Sequence, residues 1–179
     1  IVYNPEFLRE KHAAEDFINS DLIIFGGEEK DCNELGEFYN NYTKCINNNY
    51  IFTDVISASL IKYTINSFLA TKVIFFNEIN KIFRKSGTNE TWDNFVKSIS
   101  CDSRIGNSHM DVPGHDGRYG FGGACFPKDT NALKIYAEKN GINMTLLKEV
   151  IKSNNNIRAK YNSETEREAD QNINFKGEN

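Results

Sequence analysis

The sequence predicts a mainly α-helical protein with a small α/β part, and two patterns lead to that prediction. Residues 1–53 hold short apolar runs separated by a helical stretch, which favours the strands of an α/β sheet. From Asp54 to Ser86-Gly87 the apolar residues recur with helical spacing. We therefore expect a truncated α/β region, a helical region over residues 54–160 built on one long helix, and a polar tail over residues 161–179.

The first region combines candidate strands with one helix. Strands are predicted at residues 1–3, 21–25 and 50–53, and a helix fits residues 31–42. The first run is typical of a strand end with nothing before it to pair with, so we expect the chain to be truncated there. Neither Gly26-Gly27 nor the later glycine cluster has the spacing G-x-G-x-x-G, so we expect no pyrophosphate-binding turn in this chain.

One long helix is predicted from Asp54, whose side chain suits an N-cap, to the stop at Ser86-Gly87. About thirty residues would make it roughly 45 Å long. Apolar side chains cover most of its circumference, so it must pack on several sides, in a core or a dimer interface. Lys62 and Asn66 lie one turn apart on one face, where a cation and an amide would meet a common ligand; the alternative is a solvated lysine on a structural helix.

The rest of the chain alternates short helices with a long loop. Helices are predicted at residues 92–98, 128–139 and 144–158. Residues 104–123 are rich in glycine without hydrophobic periodicity, as in ligand-binding or disordered loops. His109 and His115 in this loop would be metal ligands or a base, but their spacing without a third ligand favours surface histidines. The tail from Ser163 is polar, and we expect it to be loosely ordered.

The most informative stretch is Gly-Phe-Gly-Gly-Ala-Cys-Phe-Pro-Lys-Asp over residues 120–129. Pro127 fits the first turn of a helix, which places Cys125 just outside its N-terminus. The helix dipole and the nearby Lys128 would favour the thiolate, and the glycines leave room for a substrate. These features predict a nucleophilic cysteine; the alternative is an inert cysteine in a glycine turn.

Composition agrees with a soluble enzyme and argues against several other classes. A net charge of −4 with a pI near 5.5 argues against a nucleic-acid-binding surface. The four cysteines form no C-x-x-C pair and no disulfide-like framework, which favours a reducing cytoplasm and no zinc site. We find no membrane-length apolar span and no signal peptide, so we expect a cytoplasmic protein without membrane or metal partners.

Four segments, in order, resemble the UDP-glucose/GDP-mannose dehydrogenase family. The cysteine stretch is similar to the family's Gly-Gly-Ser-Cys-Phe-Pro-Lys-Asp nucleophile loop, with Ala124 in place of the serine. The others resemble its substrate loop, its central catalytic helix and its Asp-Pro-Arg-Ile-Gly turn, at residues 4–10, 62–70 and 102–106. The resemblance spans about residues 1–160. Within the family, the sequence most resembles the members that oxidise C6 of UDP-glucose.

The resemblance implies a fold, an activity and partners. Residues 1–53 would be the last strands of a Rossmann-like NAD-binding domain, and residues 54–160 a central dimerisation domain carrying the catalytic cysteine. The implied reaction is the NAD-dependent two-step oxidation of C6 of UDP-glucose to UDP-glucuronate through a cysteine thiohemiacetal and thioester. The implied partners are a UDP-sugar and a second copy of the chain, with Arg104 reaching the partner's sugar. The alternative for Arg104 is an ion pair with Asp102 or Asp111 in its own loop.

The resemblance also implies roles for individual residues. The implied catalytic residues are Cys125, Lys62, Asn66, Asp129 and Glu6. The implied substrate-binding residues are Glu6, Phe7, Leu8, Arg9, Glu10, Lys62, Asn66, Arg104, Tyr119, Gly120, Phe121 and Gly122. The implied contacts on the nicotinamide side of NAD are Glu10, Cys125 and Lys128.

Two alternatives stay open. The same thiol chemistry serves GDP-mannose or a UDP-N-acetylhexosamine, and selection of the base depends largely on regions outside this chain. The second alternative is a helical dimerisation module that is inactive by itself, because the chain lacks the cofactor fingerprint. We expect no turnover by the isolated chain.

Overall fold

The computed structural model describes residues 1–8, 12–163 and 165–176. Over these ranges the chain is mainly helical with a two-stranded sheet, which confirms the predicted fold class. It divides into two compact units, Ile1–Thr64 and Ile65–Asn179. This division lies inside the long helix rather than before it, and the assignment of separate domains to residues 1–53 and 54–160 stays a prediction. No helix in the described ranges is both long and apolar enough to cross a membrane.

The first unit is a small α/β arrangement. Its elements before the long helix are α1 (Ala13–Ile18), β1 (Ile23–Gly26), α2 (Glu29–Tyr42) and β2 (Tyr50–Thr53). The strands are parallel, with Ile24 opposite Ile51, and every residue of β1 is buried. On the other side of β1, Tyr3 and Gly26 exchange two backbone hydrogen bonds of 2.8 Å. Tyr3 is therefore the paired residue of the strand end predicted at residues 1–3, and its partner lies within this chain.

Gly26 is required where β1 approaches the start of the long helix. A Cβ atom on Gly26 would lie 2.6 Å from the Ala58 Cβ and 3.1 Å from the Asp54 carbonyl oxygen. Gly26→Ala must therefore move the backbone, and we expect it to lower the free energy of unfolding by about 1–3 kcal/mol, the usual cost of overpacking. Urea unfolding followed by circular dichroism measures the change. Gly114→Ala is the control, because its nearest contact would be an ordinary 3.5 Å; equal losses in both variants would contradict this packing explanation.

The long helix is α3 (Val55–Lys85). The Asp54 carboxylate accepts hydrogen bonds from the backbone N–H groups of Ile56 at 2.8 Å and Ser57 at 2.9 Å, which confirms the predicted N-cap. The helix ends just before Gly87, whose φ of +74° is the left-handed conformation that terminates many helices. Both predicted ends of this helix are confirmed.

The second unit adds α4 (Trp92–Ser100), α5 (Cys125–Lys139), α6 (Thr145–Arg158) and α7 (Glu166–Asp170). It contains two apolar clusters, formed by Ala70, Ile74, Phe121 and Val150 and by Phe76, Met110 and Val112. The loop between α4 and α5 contributes buried residues to both clusters. This glycine-rich loop is therefore a packed part of the unit.

The polar tail differs from the predicted loose order. Glu168 on α7 is 1% exposed, and Phe175 is 9% exposed. The Glu168 carboxylate accepts hydrogen bonds from the buried Arg158 guanidinium and, at 2.8 Å, from the Thr165 backbone N–H. Because these partners satisfy the buried charge, a polar segment packs here without apolar periodicity. The prediction of a loosely ordered end is wrong for this segment.

Candidate functional site

Cys125 is the first residue of α5, so the prediction that it lies just outside a helix starting near Lys128 is wrong by three residues. Ala124 occupies the N-cap position without a side-chain capping bond, and Gly123 before it has a φ of +70°. The left-handed glycine turns the chain sharply into α5. Cys125 therefore lies at the positive end of the helix dipole, half-buried and as a free thiol.

Asp129 lies one turn further along α5 and is 2% exposed. The Asn66 Nδ2 donates a hydrogen bond of 2.6 Å to the Asp129 Oδ2. The Lys128 Nζ lies 3.7 Å from the Asp129 Oδ1, and the Lys128 side chain is exposed. Short bonds to a buried carboxylate hold it in one orientation. Three of the predicted site residues thus form one cluster at the helix start that carries Cys125.

Lys62 and Glu6 form an ion pair in the first unit. The Lys62 Nζ lies 3.5 Å from the Glu6 Oε1, and the Glu6 Oε2 accepts a 2.9 Å hydrogen bond from the Leu8 backbone N–H. The Lys62 side chain is 13% exposed, so its charge requires a partner, which Glu6 supplies. Phe7 and Leu8 are half-buried. Arg9 and Glu10 lie outside the described residues, and their roles stay predictions.

Arg104 is bonded within its own turn. Its Nε and Nη2 atoms donate hydrogen bonds of 3.0 and 2.6 Å to the two carboxylate oxygens of Asp102. These bonds lower the pKa of Asp102 and raise the pKa of Arg104. The Arg104 side chain is 87% exposed, and an ion pair in solvent is readily exchanged for another. The Lys72 Nζ ties this turn to α3 by donating a 2.9 Å hydrogen bond to the Ile105 carbonyl. The reach of Arg104 to a second copy stays a prediction.

The loop residues predicted to line the sugar pocket are held by hydrogen bonds and apolar packing within the second unit. Phe121 is 5% exposed and packs in an apolar cluster, so its side chain supports the loop, and its role at the sugar stays a prediction. The Tyr119 backbone N–H donates a 2.8 Å hydrogen bond to the Tyr161 hydroxyl, and the Tyr119 hydroxyl accepts one of 3.0 Å from Arg84. The binding roles of Tyr119, Gly120 and Gly122 stay predictions.

Two asparagines at this loop are absent from the sequence-based site. The Gly120 backbone N–H donates a 3.0 Å hydrogen bond to the Asn77 Oδ1, and Phe121 is paired with the Asn154 amide. Both asparagines are buried, at 2% and 0% exposure. Asn77 could have been identified from the sequence, because it interrupts the apolar pattern of a helix and a buried amide requires hydrogen-bond partners. Asn154 begins a run of three asparagines, which hides it in the sequence.

The other cysteines have different surroundings. Cys32 is 1% exposed, its thiol donates to the Phe25 carbonyl at 3.5 Å, and burial raises its pKa. The Cys45 thiol donates to the Phe17 carbonyl at 3.2 Å, and Cys101 is exposed. Across the described ranges, no three His, Cys, Asp or Glu side chains converge in a way that could hold a metal ion. Of the four cysteines, only Cys125 lies at a helix start followed by a buried carboxylate.

Residues 56–156 match the model of the UDP-glucose/GDP-mannose dehydrogenase family, central domain. The chain belongs to this family. A UDP-glucose 6-dehydrogenase from Rickettsia felis is 40% identical over 156 residues, which are 86% of this chain and 33% of that protein. Another from Bacillus subtilis is 41% identical over 160 residues, or 89% of this chain and 34% of that protein. These matches confirm the resemblance that four sequence motifs predict.

A solved structure extends the family relationship to the fold. The UDP-glucose dehydrogenase from the hyperthermophilic archaeon Pyrobaculum islandicum has a TM-score of 0.72 and 34% identity, and the match covers 86% of this chain and 33% of that chain. The chain thus spans about a third of the length of its curated relatives, at 33% and 34%. Family membership places it among nucleotide-sugar dehydrogenases.

Proposed function

We propose that the whole protein oxidises C6 of UDP-glucose twice to give UDP-glucuronate, with Cys125 as the nucleophile. The observation that carries this proposal is the cluster at the start of α5, where Cys125 is followed by a buried Asp129 bonded to Asn66. A nucleophile, a carboxylate and an amide donor are the groups that covalent aldehyde oxidation requires. The similarity to UDP-glucose 6-dehydrogenases supports the choice of sugar nucleotide.

The chemistry divides into two oxidations and a hydrolysis. In the first oxidation C6 loses a hydride to the two-electron acceptor and its hydroxyl loses a proton to a base or an ordered water, while Lys62 and Asn66 donate hydrogen bonds to the oxygen as charge develops. The Cys125 thiolate then bonds to the aldehyde carbon, and the carbonyl oxygen takes up a proton to give a thiohemiacetal. Loss of the second hydride and of that proton gives a thioester. Water adds to the thioester carbonyl, the C–S bond breaks, and the acid and the thiolate are released.

Two carboxylates are suited to activate the hydrolytic water. Asp129 is fixed by Asn66 at one oxygen, and its other oxygen lies 3.7 Å from the Lys128 ammonium. Glu6 is the second base, since it is more exposed than Asp129 and lies beside Lys62. A carboxylate that is oriented by neighbouring donors accepts the proton of the attacking water as the tetrahedral intermediate forms.

We propose NAD⁺ as the acceptor of both hydrides, because it supplies the two-electron oxidation that each step requires. In this proposal Lys128, whose side chain is exposed, borders the nicotinamide side. The glycine pair at the end of β1, Gly26 and Gly27, does not fit the pyrophosphate, since a Cβ on Gly27 would lie 2.9 Å from the Ile1 carbonyl oxygen and Gly26 is packed against Ala58. Binding of the phosphates is therefore proposed to depend on parts of the whole protein other than these glycines.

Lys62→Ala in the full-length protein is expected to lower kcat about a hundredfold with KM for the sugar nucleotide little changed. The reason is that a donor to a developing oxyanion acts mainly in the transition state. Steady-state kinetics with purified, folded variants provides the test. Lys85→Ala is the control, because Lys85 is an exposed lysine on the same helix. Equal losses of thermal stability and activity in Lys62→Ala would assign Lys62 a structural role.

We propose that two copies of the chain pair through α3. Phe68, Phe75 and Ile82 are 66%, 55% and 65% exposed, and their seven-residue spacing places them in one row along the helix. A row of large apolar side chains at a surface favours burial against a partner, and twofold pairing is the commonest arrangement. In this dimer the exposed Arg104 would serve the sugar bound by the partner.

NADH production by the full-length protein with different sugar nucleotides tests the proposed function. We expect the highest kcat/KM with UDP-glucose and two NADH for each UDP-glucuronate, and no turnover by the isolated chain. A preference for GDP-mannose or a UDP-N-acetylhexosamine would replace the substrate assignment. Absence of turnover with all three by a folded protein would favour a helical dimerisation module. A cytoplasmic location is proposed with this activity, since Cys125 must stay reduced.

A further inference from the structure

The backbone of the loop that leads to Cys125 is hydrogen-bonded to buried polar side chains that have no role in the proposed chemistry. Three helices of the unit contribute, namely α3, α6 and α7, through Asn77, Asn154 and Glu168. Each accepts a hydrogen bond from a backbone N–H group of the loop, at residues 120, 121 and 123. A buried amide or carboxylate that accepts a hydrogen bond from a loop backbone fixes that backbone, because breaking the bond would leave a buried polar group without a partner.

Asn154 makes the most complete contact with the loop. Its Oδ1 accepts a 2.7 Å hydrogen bond from the Phe121 backbone N–H, and its Nδ2 donates one of 3.0 Å to the Phe121 carbonyl. The residue is fully buried, at 0% exposure. Two bonds to one residue determine both the position and the rotation of the backbone at that point. The side chain of Phe121 is anchored at the same time in the apolar cluster with Ile74 and Val150.

The Arg158–Glu168 pair supports the last part of the loop. The Glu168 Oε1 accepts a hydrogen bond from the Arg158 Nη2 and one of 3.3 Å from the Gly123 backbone N–H. Arg158 is 3% exposed and also donates a 2.7 Å hydrogen bond to Asp116. Gly122 lies so close that a Cβ there would overlap both the Arg158 guanidinium and the Glu168 carboxylate. The glycine therefore lets the loop backbone approach the ion pair directly.

Glu168 stays ionised in this setting. Burial alone would raise its pKa, but the Thr165 backbone N–H and the Arg158 charge outweigh burial, and the pKa lies below its usual value. The carboxylate is therefore an acceptor for the Gly123 N–H at neutral pH.

We propose that Asn154 and the Arg158–Glu168 pair are positioning residues for Cys125. They set the path of residues 120–123, and Cys125 follows this path through Gly123, whose φ of +70° leads into the first residue of α5. The segment containing α7 thereby acts on the nucleophile through the loop without touching substrate. The kinetic consequence rests on the proposed function, whereas the structural consequence does not.

The structural consequence is tested by hydrogen exchange in the full-length protein. Asn154→Ala is expected to speed exchange of the Phe121 amide at least tenfold, with little change for amides in the middle of α3. Leu147→Val is the control on the same helix, because Leu147 is buried and its side chain makes no hydrogen bond. Loop exchange that rises no more than in the control would overturn the proposal. Glu168→Ala is the second variant and addresses the Gly123 amide independently, should Asn154→Ala not fold.

The kinetic consequence separates positioning from a general loss of stability. In Asn154→Ala and Glu168→Ala, kcat for each folded molecule should fall at least tenfold while KM for the sugar nucleotide stays within threefold. Glu168→Gln keeps an oxygen acceptor for the Gly123 N–H but removes the charge that pairs with Arg158, so its kcat should lie between those of Glu168→Ala and the wild type. Faster loop exchange with unchanged kcat would overturn the link to Cys125. If the wild-type protein oxidises no sugar nucleotide, the proposed function fails, and hydrogen exchange still decides whether these residues hold the loop.

Discussion

Replacing Cys125 by serine in the full-length protein is expected to reduce UDP-glucuronate formation at least about a thousandfold, or about 4 kcal/mol in the barrier. The serine hydroxyl is protonated at neutral pH and attacks an aldehyde far more slowly than a thiolate does. The first hydride transfer does not require the sulfur, so the aldehyde should be the last species formed. Chromatography of the sugar nucleotides, together with the amount of NADH for each substrate consumed, measures where the reaction stops.

The matched control for this variant is Cys101→Ser. Cys101 is the exposed cysteine after α4. Its thiol donates a hydrogen bond of 3.4 Å to the Lys97 carbonyl oxygen. The control removes one thiol with the same change of atoms and should retain wild-type acid production. Unchanged acid production in Cys125→Ser would refute the thioester route. Iodoacetamide labelling that reaches Cys32 before Cys125 would argue against the site itself, because Cys32 is buried and burial raises its pKa.

The long helix was predictable because local and tertiary signals agree along it. Asp54 supplies the N-cap, Gly87 supplies the left-handed stop, and apolar residues between them recur at helical spacing. The strand at residues 50–53 is also found as predicted, and that at residues 21–25 is shifted to Ile23–Gly26. These elements carry their own apolar runs, so the sequence alone is sufficient to locate them.

The remaining elements depend on contacts that periodicity does not report. Helix α1 has no side-chain N-cap bond and no buried residue, so neither a cap nor an apolar face marks it. Helix α7 is anchored by the burial of Glu168 against Arg158, two charged residues that a sequence-based interpretation assigns to solvent. The start of α5 was misplaced because Pro127 is compatible with several positions in a first turn, and the structure begins the helix at Cys125.

The candidate site shows the same division. The residue types of the site could be identified from motifs, and Asn66 and Asp129 are indeed bonded to each other, at 2.6 Å. Their pairing joins residues 63 positions apart, which no spacing rule predicts. The burial of Phe121 was not predicted, because the glycine-rich loop has no hydrophobic periodicity and the hydrogen bonds between Asn154 and the Phe121 backbone join residues far apart in the chain.

Mixed dimers are expected to recover activity from two inactive parents if Arg104 serves the partner's sugar. Arg104 is bonded to Asp102 in its own turn, but that pair is exposed, and a forked guanidinium suits the hydroxyl and phosphate oxygens of a sugar nucleotide. Arg104→Ala and Cys125→Ser homodimers each lack one component in both sites. We expect each to be nearly inactive, with Arg104→Ala losing at least about a hundredfold in kcat/KM, as for loss of a charged contact to substrate.

A heterodimer of the two variants restores one complete site when the arginine crosses the interface. That site combines Cys125 of the Arg104→Ala subunit with Arg104 of the Cys125→Ser subunit, so purified heterodimers should show about half of the wild-type activity. If Arg104 acts within its own subunit, one site lacks the arginine and the other lacks the cysteine, and the heterodimer is as inactive as its parents. Two differently tagged subunits, refolded together and purified through both tags, allow this measurement.

Asp102→Asn is the control, because it removes the charge that pairs with Arg104 in its own turn and keeps the guanidinium. Wild-type activity in Asp102→Asn, together with inactive heterodimers, would reject the crossing arginine and assign Arg104 to its own subunit.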